Sequence, residues 1–255
     1  MTSIADQTVE ELGGPSSVLV RMRREHGEQE ALLQRLEATS GDAQDEVLTR
    51  LWRLVFTHAY AEETVVWPAI RAVSRDGDEL TLHIEQGHQK LSELTAELER
   101  TRPGDPGRGE LITELAAELR LDIREEEDIL LPRLREGADD RRLRRLGRAW
   151  ALVRSTAPTR PHVAVSRRPP GNLIAAAPLS VLDRSRDRLD RAARDRSGRV
   201  RSGAEAASWA LARVAGAIER SRLVQVGERA RTRPGRWTVH RWLTRNTPPT
   251  SDQSD

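Results

Sequence analysis

The chain contains no cysteine, and aromatic residues make up only 3% of it, with a single Phe and a single Tyr. The absence of cysteine excludes disulfides, thiolate metal sites and thiol catalysis. A core with so few aromatic rings has to be built from Leu, Val, Ile and Ala, which suits helices better than sheets. The composition therefore predicts an all-α protein.

Long apolar runs are also missing. The longest apolar stretch, residues 173–182, is far shorter than the roughly 20 residues that a helix needs to span a bilayer. The first residues do not show a basic segment followed by an apolar one, so no secretory signal is expected. We therefore expect a soluble, cytoplasmic protein.

Acidic and basic residues are distributed unevenly along the chain. Residues 1–138 hold 16 Arg or Lys against 29 Asp or Glu, a net charge of −13, whereas residues 139–255 hold 26 against 11, a net charge of +15. The change of sign near Gly137 is the best candidate for a domain boundary. The basic half is expected either to pack on the acidic half or to bind a polyanion, such as nucleic acid or an anionic membrane surface.

Apolar periodicity predicts four long helices in the acidic half. The first follows residues 13–17, where a serine can cap it, and the others are expected at about 43–73, 79–100 and 109–136. Prolines late in the second and fourth helices, Pro68 and Pro132, should kink or end them. Short loops between long amphipathic helices predict an antiparallel, up-down-up-down four-helix bundle.

These patterns divide the chain into four predicted regions. Residues 1–15 are expected to be a disordered N-terminus, and residues 16–138 the four-helix bundle. Residues 139–177 should form a basic helix followed by a Pro- and Arg-rich linker. Residues 178–255 are predicted to be an arginine-rich helical extension that ends in a disordered tail.

A pattern of polar residues occurs twice in the acidic half. In each copy a potential metal-binding side chain is followed four residues later by two adjacent glutamates and then by a proline: His58, Glu62, Glu63 and Pro68 in the first copy, and Asp122, Glu126, Glu127 and Pro132 in the second. A spacing of four residues places both groups on one helix face, one turn apart. Two such helices facing each other would supply two metal-binding pairs to the interior of one bundle.

The two remaining helices each bring a histidine to a comparable height, His26 on the first and His88 on the third. A lone helical histidine is more often a surface or core residue, so the coincidence across four helices is what favours a metal site. Imidazole with carboxylate suits iron, manganese or zinc, and buried bridging carboxylates suit a pair of metal ions. His83 is a weaker candidate, because its five-residue offset from His88 turns it about 140° away from that face.

Residues 16–136 resemble the hemerythrin-like cation-binding family, whose pattern is a His on helix one, His-x-x-x-Glu on helix two, a His on helix three and a second His-x-x-x-Glu on helix four. The glutamate pair followed by a proline also looks like the family. One position departs, because Asp122 stands where the family has histidine. The resemblance implies an iron site, most often of two ions, with the following ligands: His26, His58, Glu62, His88, Asp122 and Glu126.

The resemblance further implies a non-haem di-iron protein that acts in sensing dioxygen, nitric oxide or peroxide, in iron handling, or in redox stress. The sequence leaves open whether the protein is also an enzyme, and a binding role is favoured. Asp122 would make the site poorer in imidazole and more negative, which stabilises the higher oxidation state of iron and disfavours reversible dioxygen carriage. Alternatively, Asp122 is not a ligand. A second interpretation is a structural or interaction module whose arginine-rich half binds nucleic acid or an anionic surface, although no nucleic-acid fold signature is present.

Several other polar or aromatic residues are not expected to bind metal. Tyr60 lies two positions from His58 and should therefore point away from it. Trp52 and Trp67 are expected to pack in the core or at the bundle end. His162 has no ligand-type neighbour in the sequence, and His240 has none either.

Overall fold

The computed structural model describes residues 2–195 and 197–227, and in this part of the chain it contains helices and loops but no strand. The α-helices, in chain order, are α1 (Val18–Glu37), α2 (Gly41–Ala61), α3 (Trp67–Val73), α4 (Gly77–Leu98), α5 (Arg108–Glu125), α6 (Leu131–Gly137), α7 (Asp140–Thr156), α8 (Gly171–Asp195) and α9 (Gly198–Glu219). Short 3₁₀ turns cover Ile4–Asp6 and Arg222–Gln225. The predicted all-α class is confirmed for the described residues.

Each copy of the repeated pattern forms a π-helical turn. One turn, Glu62–Val66, joins α2 to α3, and the other, Glu126–Leu130, joins α5 to α6. In the first, the N–H of Trp67 donates to the carbonyl of Glu62, five residues earlier. The proline that follows each turn sits in the first turn of the next helix, where its missing N–H costs little. Pro68 therefore does not end the helical path, which continues to Val73.

Two apolar clusters lie on either side of a band of polar residues. On α1, His26 lies between Met22 of the first cluster and Leu33 of the second. The other helices follow the same order, with an apolar residue of each cluster on either side of the polar one: Ala61 and Leu54 around His58, Ile84 and Leu91 around His88, and Leu130 and Leu119 around Glu126. The helices thus carry polar side chains into the middle of an otherwise apolar interior.

Helix α7, from the basic half, packs against α1, α2 and the first π turn. Gly147 makes this close approach possible, because a Cβ at that position would lie 2.1 Å from the carbonyl oxygen of Ser16. Trp150 on the same helix is fully buried in the first apolar cluster. Helix α8 packs mainly on α9. The first helix of the basic half is therefore an integral part of the fold.

Ion pairs also join the two oppositely charged halves. Arg168 lies 2.9 Å from Glu85, measured from Nε to Oε2, and 2.6 Å from Asp78, measured from Nη1 to Oδ1. Arg53 on α2 pairs with Asp187 on α8 at 2.8 Å. Of the two outcomes predicted for the basic half, these contacts support packing on the acidic half.

The N-terminal segment differs from the prediction of disorder. Residues 2–15 are folded against the helices, and Ile4 and Leu12 are fully buried. Both side chains belong to the first apolar cluster, so the hydrophobic gain from completing that cluster orders the segment.

The predicted boundary at residue 177 falls inside α8 and is wrong as a helix limit. Ala175 and Leu179 are buried against Ala215 of α9, and this packing outweighs the helix-breaking tendency of Pro178. The predicted disordered tail, with His240, lies outside the described residues. Among the described helices, none is both long and apolar enough to cross a bilayer.

A buried histidine ties three segments of the basic half together. Nδ1 of His162 lies 2.7 Å from Oε1 of Glu219 on α9, and Nε2 lies 3.0 Å from Oδ2 of Asp183 on α8. The backbone N–H groups of Thr159 and Arg160 donate to the same Asp183 oxygen. Burial by itself would lower the pKa of His162, but the two carboxylates raise it to about 10. The sequence around His162 could not reveal these partners, which lie 21 and 57 residues away.

Replacing His162 with glutamine should destabilise the protein in a pH-dependent way. Removing one partner of a buried ion pair costs about 3–5 kcal/mol. Because the pKa is raised on folding, the stabilisation from protonated His162 is complete below its ordinary value of 6.5 and is lost as the pH rises through about 10. Thermal unfolding at a series of pH values should show that the difference in stability between the variant and the wild type becomes smaller as the pH rises from 6.5 to about 10. His83→Gln, at an exposed histidine, is the control. A stability difference between His162→Gln and the wild type that does not change with pH would contradict the role of protonated His162.

Candidate metal centre

Three imidazoles and three carboxylates meet between the two apolar clusters. None of the six side chains belongs to a residue more than 9% exposed, and each of α1, α2, α4, α5 and the two π turns contributes one of them: His26, His58, His88, Asp122, Glu62 and Glu126. The structure thus brings together all six residues that the sequence predicts as the site.

The six residues form two overlapping groups, each able to surround one cation. One nitrogen or oxygen from every member lies within 4.8 Å of the others in each group. The first group contains His26, His58, Glu62 and Glu126, and the second contains His88, Asp122 and Glu126. Because Glu126 belongs to both groups, the two positions are neighbours.

Both glutamates face the two groups at once. Glu62 places Oε1 2.9 Å from Nε2 of His58 and Oε2 3.5 Å from Nε2 of His88. Glu126 places Oε2 3.2 Å from Nε2 of His26 and Oε1 3.7 Å from Nε2 of His88. This is the disposition of carboxylates that bridge a pair of metal ions.

Every inner histidine is held from behind by a second carboxylate. The Nδ1 atoms lie within hydrogen-bond distance of a glutamate oxygen in all three cases: His26 with Glu127 at 2.7 Å, His58 with Glu25 at 2.9 Å, and His88 with Glu63 at 2.8 Å. A carboxylate at Nδ1 accepts a hydrogen bond from the ring N–H and leaves Nε2 free to bind a cation. The Nε2 atoms of all three rings point into the site.

The two adjacent glutamates of the repeat therefore have different roles. Glu62 faces the centre, while Glu63 bonds His88 on the neighbouring helix α4. In the second copy Glu126 faces the centre and Glu127 bonds His26 on α1. The doublet in the sequence was a visible signal for this second set of carboxylates, whereas Glu25 had none beyond its position next to His26.

The charges at the site shift the pKa values of its members. Burial alone would lower the pKa of His26, but the carboxylates of Glu126 and Glu127 raise it to about 10. Burial acts in the same direction on His58, and its neighbouring carboxylates raise its pKa to about 9. Burial raises the pKa of Asp122. Protons on the imidazoles thus offset part of the buried negative charge, and a metal ion would have to displace them.

Three carboxylate oxygens at the centre show that the residues suit a cation. Both oxygens of Glu62 and Oε1 of Glu126 are buried without a hydrogen-bond partner of proper geometry among the described residues. The nearest imidazole nitrogens are 2.9–3.7 Å away but poorly aligned. A buried carboxylate without donors is costly, and coordination to a cation removes that cost. The donor set of imidazole and carboxylate matches iron, manganese or zinc.

The other candidate residues lie outside this group. His83 is exposed and pairs with Glu125 at 3.0 Å, so it is not among the converging residues. The hydroxyl of Tyr60 donates to the carbonyl of Asn172 at 2.7 Å, away from the centre as expected.

Two tryptophans pack directly on the inner histidines. The ring of Trp67 stacks on His88 with centroids 6.3 Å apart, and the ring of Trp150 meets His58 edge-on at 5.0 Å. The sequence predicts only a packing role for Trp67. Trp150 lies in the basic half, where no local pattern links it to the site. Both indole rings shield the centre from water.

Comparison with known families agrees with this geometry. Residues 17–134 match the model of the hemerythrin HHE cation binding domain family. This part of the chain is therefore a hemerythrin HHE domain, and the matched range contains all six inner residues and their three outer carboxylates. Searches among curated proteins and among solved structures gave no match.

Glu62→Gln should separate metal binding from stability. The change removes a buried charge whose oxygens lack good hydrogen-bond partners, but it also removes one partner of the buried His58–Glu62 pair, 2.9 Å apart. These effects oppose each other, so the metal-free protein should keep its fold with a small change in stability. The stabilisation that added metal gives to the wild type should be largely lost, because a bridging ligand is gone. Thermal unfolding with and without ferrous iron measures both effects. Glu125→Gln, on the surface, is the control, and a variant that keeps its metal-induced stabilisation would contradict the ligand role.

Proposed function

We propose that this chain binds a pair of iron ions with the six inner residues, within an antiparallel four-helix bundle made by α1, α2 with α3, α4, and α5 with α6. The observation that carries the proposal is the convergence of three imidazole Nε2 atoms, each ring held at Nδ1 by its own carboxylate. Two ligand groups that share Glu126, with Glu62 also facing His88, favour a pair of ions over one. Manganese and zinc suit the same donors less specifically.

When bound, a pair of iron ions supplies one-electron redox chemistry and coordination positions for a small molecule. The protein's own residues define what can reach them. The cavity beside His58 and His88 has a volume of about 20 Å³ and is also lined by Phe56, Asp122 and Arg167. A water molecule needs roughly 10–15 Å³, so the cavity admits a molecule of only a few atoms. A ligand as small as dioxygen, nitric oxide or peroxide is compatible with this size.

Asp122 favours a sensing or redox role over reversible dioxygen carriage. With Asp122, the inner set has three carboxylates and three imidazoles. The additional negative charge stabilises the higher oxidation state of iron, which is unfavourable for carrying dioxygen reversibly. We therefore propose a cytoplasmic protein that responds to dioxygen, nitric oxide or peroxide, or that handles iron under redox stress.

The alternative function, binding of nucleic acid or an anionic surface by the basic half, receives less support. Arg154, Arg167 and Arg168 of that half pair with buried glutamates of the acidic half. Guanidinium groups engaged in this way are not displayed for a phosphate backbone. The contacts of the described residues therefore favour a structural role for the basic half.

Metal analysis of the purified protein tests the proposal. Protein produced in iron-replete cells should hold about two iron ions per chain, because two neighbouring ligand groups share Glu126. The iron-loaded protein should also absorb in the near ultraviolet. Iron at background level in a fully helical protein would contradict the proposed function.

Restoring the family residue tests the role of Asp122. Its Oδ2 lies 3.6 Å from Nε2 of His88, so its side chain faces the site. Residue 87, which faces Asp122, is a glycine. A Cβ at position 87 would lie 3.3 Å from Asp122 Oδ1, so its absence leaves space beside the Asp122 side chain. Asp122→His should therefore raise iron retention, and Asp122→Ala should lower it, both measured by competition with a chelator. Equal retention in both variants would mean that Asp122 is not a ligand.

A further inference from the structure

The carboxylates behind two of the inner histidines are held in turn by residues of the basic half. These residues lie beyond position 134, where the match to the HHE domain ends. They belong to α7 and to the loop between α7 and α8. Their contacts form two separate series of hydrogen bonds and ion pairs, one that leads to His88 and one that leads to His58.

The first series of contacts leads from Arg167 to His88. Nη1 of Arg167 lies 2.9 Å from Oε1 of Glu63, and the same oxygen lies 2.8 Å from Nδ1 of His88. Nη2 of Arg167 donates to Oε1 of Gln89 at 2.9 Å and to Oγ of Ser92 at 3.0 Å. Both acceptors are on α4, the helix that carries His88. The guanidinium thus fixes Glu63 and the helix of its histidine at once.

The second series of contacts leads from α7 to His58. Nε of Arg154 lies 2.7 Å from Oε2 of Glu25, and that oxygen lies 2.9 Å from Nδ1 of His58. The indole N–H of Trp150 donates to the other Glu25 oxygen at 3.4 Å. The ring of Trp150 also packs edge-on against His58. Helix α7 thus contacts both oxygens of Glu25, one through the ion pair with Arg154 and the other through the hydrogen bond from Trp150.

We propose that Arg167, Arg154 and Trp150 are positioning residues of the metal centre, so that the basic half forms part of the site. They orient Glu63 and Glu25, which in turn present Nε2 of His88 and His58 to the metal. The inference rests on the proposed function, because it concerns the ligands of the same ions. It also gives a reason for the charge of +15 in residues 139–255, part of which neutralises buried carboxylates of the acidic half.

Two adjacent arginines allow a matched test. Arg167 holds Glu63, a partner of His88, whereas Arg168 holds Glu85 and Asp78, neither of which bonds an inner histidine. Both arginines join the same loop to the acidic half and are similarly buried. Replacing either arginine removes a contact between the loop and the acidic half. Only the replacement of Arg167 also removes a contact to a carboxylate that orients an inner histidine.

Arg167→Gln in the full chain should weaken iron binding by about tenfold in competition with a chelator. This is the lower end of the effect of removing the direct partner of a metal-binding histidine, because Arg167 acts on His88 through Glu63. Arg168→Gln should bind iron like the wild type. Arg167→Lys should restore part of the affinity, because lysine keeps the charge but not the planar fork. Trp150→Phe, which keeps the ring and loses the N–H, should weaken binding through Glu25 and His58.

The midpoint potential supplies a readout that a purely structural role would not move. Removing the positive charge of Arg167 should lower the potential of the bound iron, because the more oxidised state is then less disfavoured. Arg168→Gln should change it less. If Arg167→Gln does not fold, Arg167→Lys and Trp150→Phe carry the test by affinity, because neither substitution removes a charge.

Two results would overturn the inference alone: equal losses of affinity in Arg167→Gln and Arg168→Gln, or iron binding and potential unchanged in every variant. Wild-type protein that holds no iron would instead overturn the proposed function, and this inference with it. Loss confined to the Arg167 and Trp150 variants, with a shifted potential, would support it.

Discussion

The burial of three carboxylates opposite three imidazoles, between two apolar clusters, is the constraint on which the rest of this structure depends. Charged groups in an apolar interior are unfavourable unless opposite charge compensates them. Protonated imidazoles supply part of the compensation, and a pair of metal ions would supply it more completely. The poorly bonded oxygens of Glu62 and Glu126 mark where that compensation is incomplete.

The two π turns give this arrangement its form. Each turn begins at a glutamate that faces the centre, and the next glutamate bonds a histidine of another helix. One short pattern therefore supplies both a bridging carboxylate and a carboxylate that orients a neighbouring histidine. π-helical turns are rare and are frequently found at functional sites. The proline after each turn lacks the N–H that an uninterrupted α-helix would use at that position.

The inner residues were predictable because their signals are local. A spacing of four residues sets His58 beside Glu62, and the repeat sets Asp122 beside Glu126 in the same way. The all-α class also followed from composition and periodicity. The relation between the helices had only indirect support, from the short connecting loops and the family pattern, because no local rule links residues such as His26 and His58, 32 positions apart.

The contribution of the basic half was not predictable in detail. Arg167 and Glu63 are 104 residues apart, and Trp150 and Glu25 are 125 apart, so their pairing depends on how the helices pack. Charge asymmetry indicated that the halves might attract each other, but not that single arginines reach the carboxylates behind the histidines. The burial of Ile4 and Leu12 was missed for a similar reason, since the cluster that they complete comes from distant helices.

Anomalous diffraction at the iron absorption edge, from crystals of the iron-loaded full-length protein, tests the central claim most directly. Two peaks are expected between the apolar clusters, one in each ligand group: His26, His58, Glu62 and Glu126 around the first, and His88, Asp122 and Glu126 around the second. Peaks only at the surface, or none between the clusters, would contradict the assignment of these buried carboxylates and imidazoles as a metal centre.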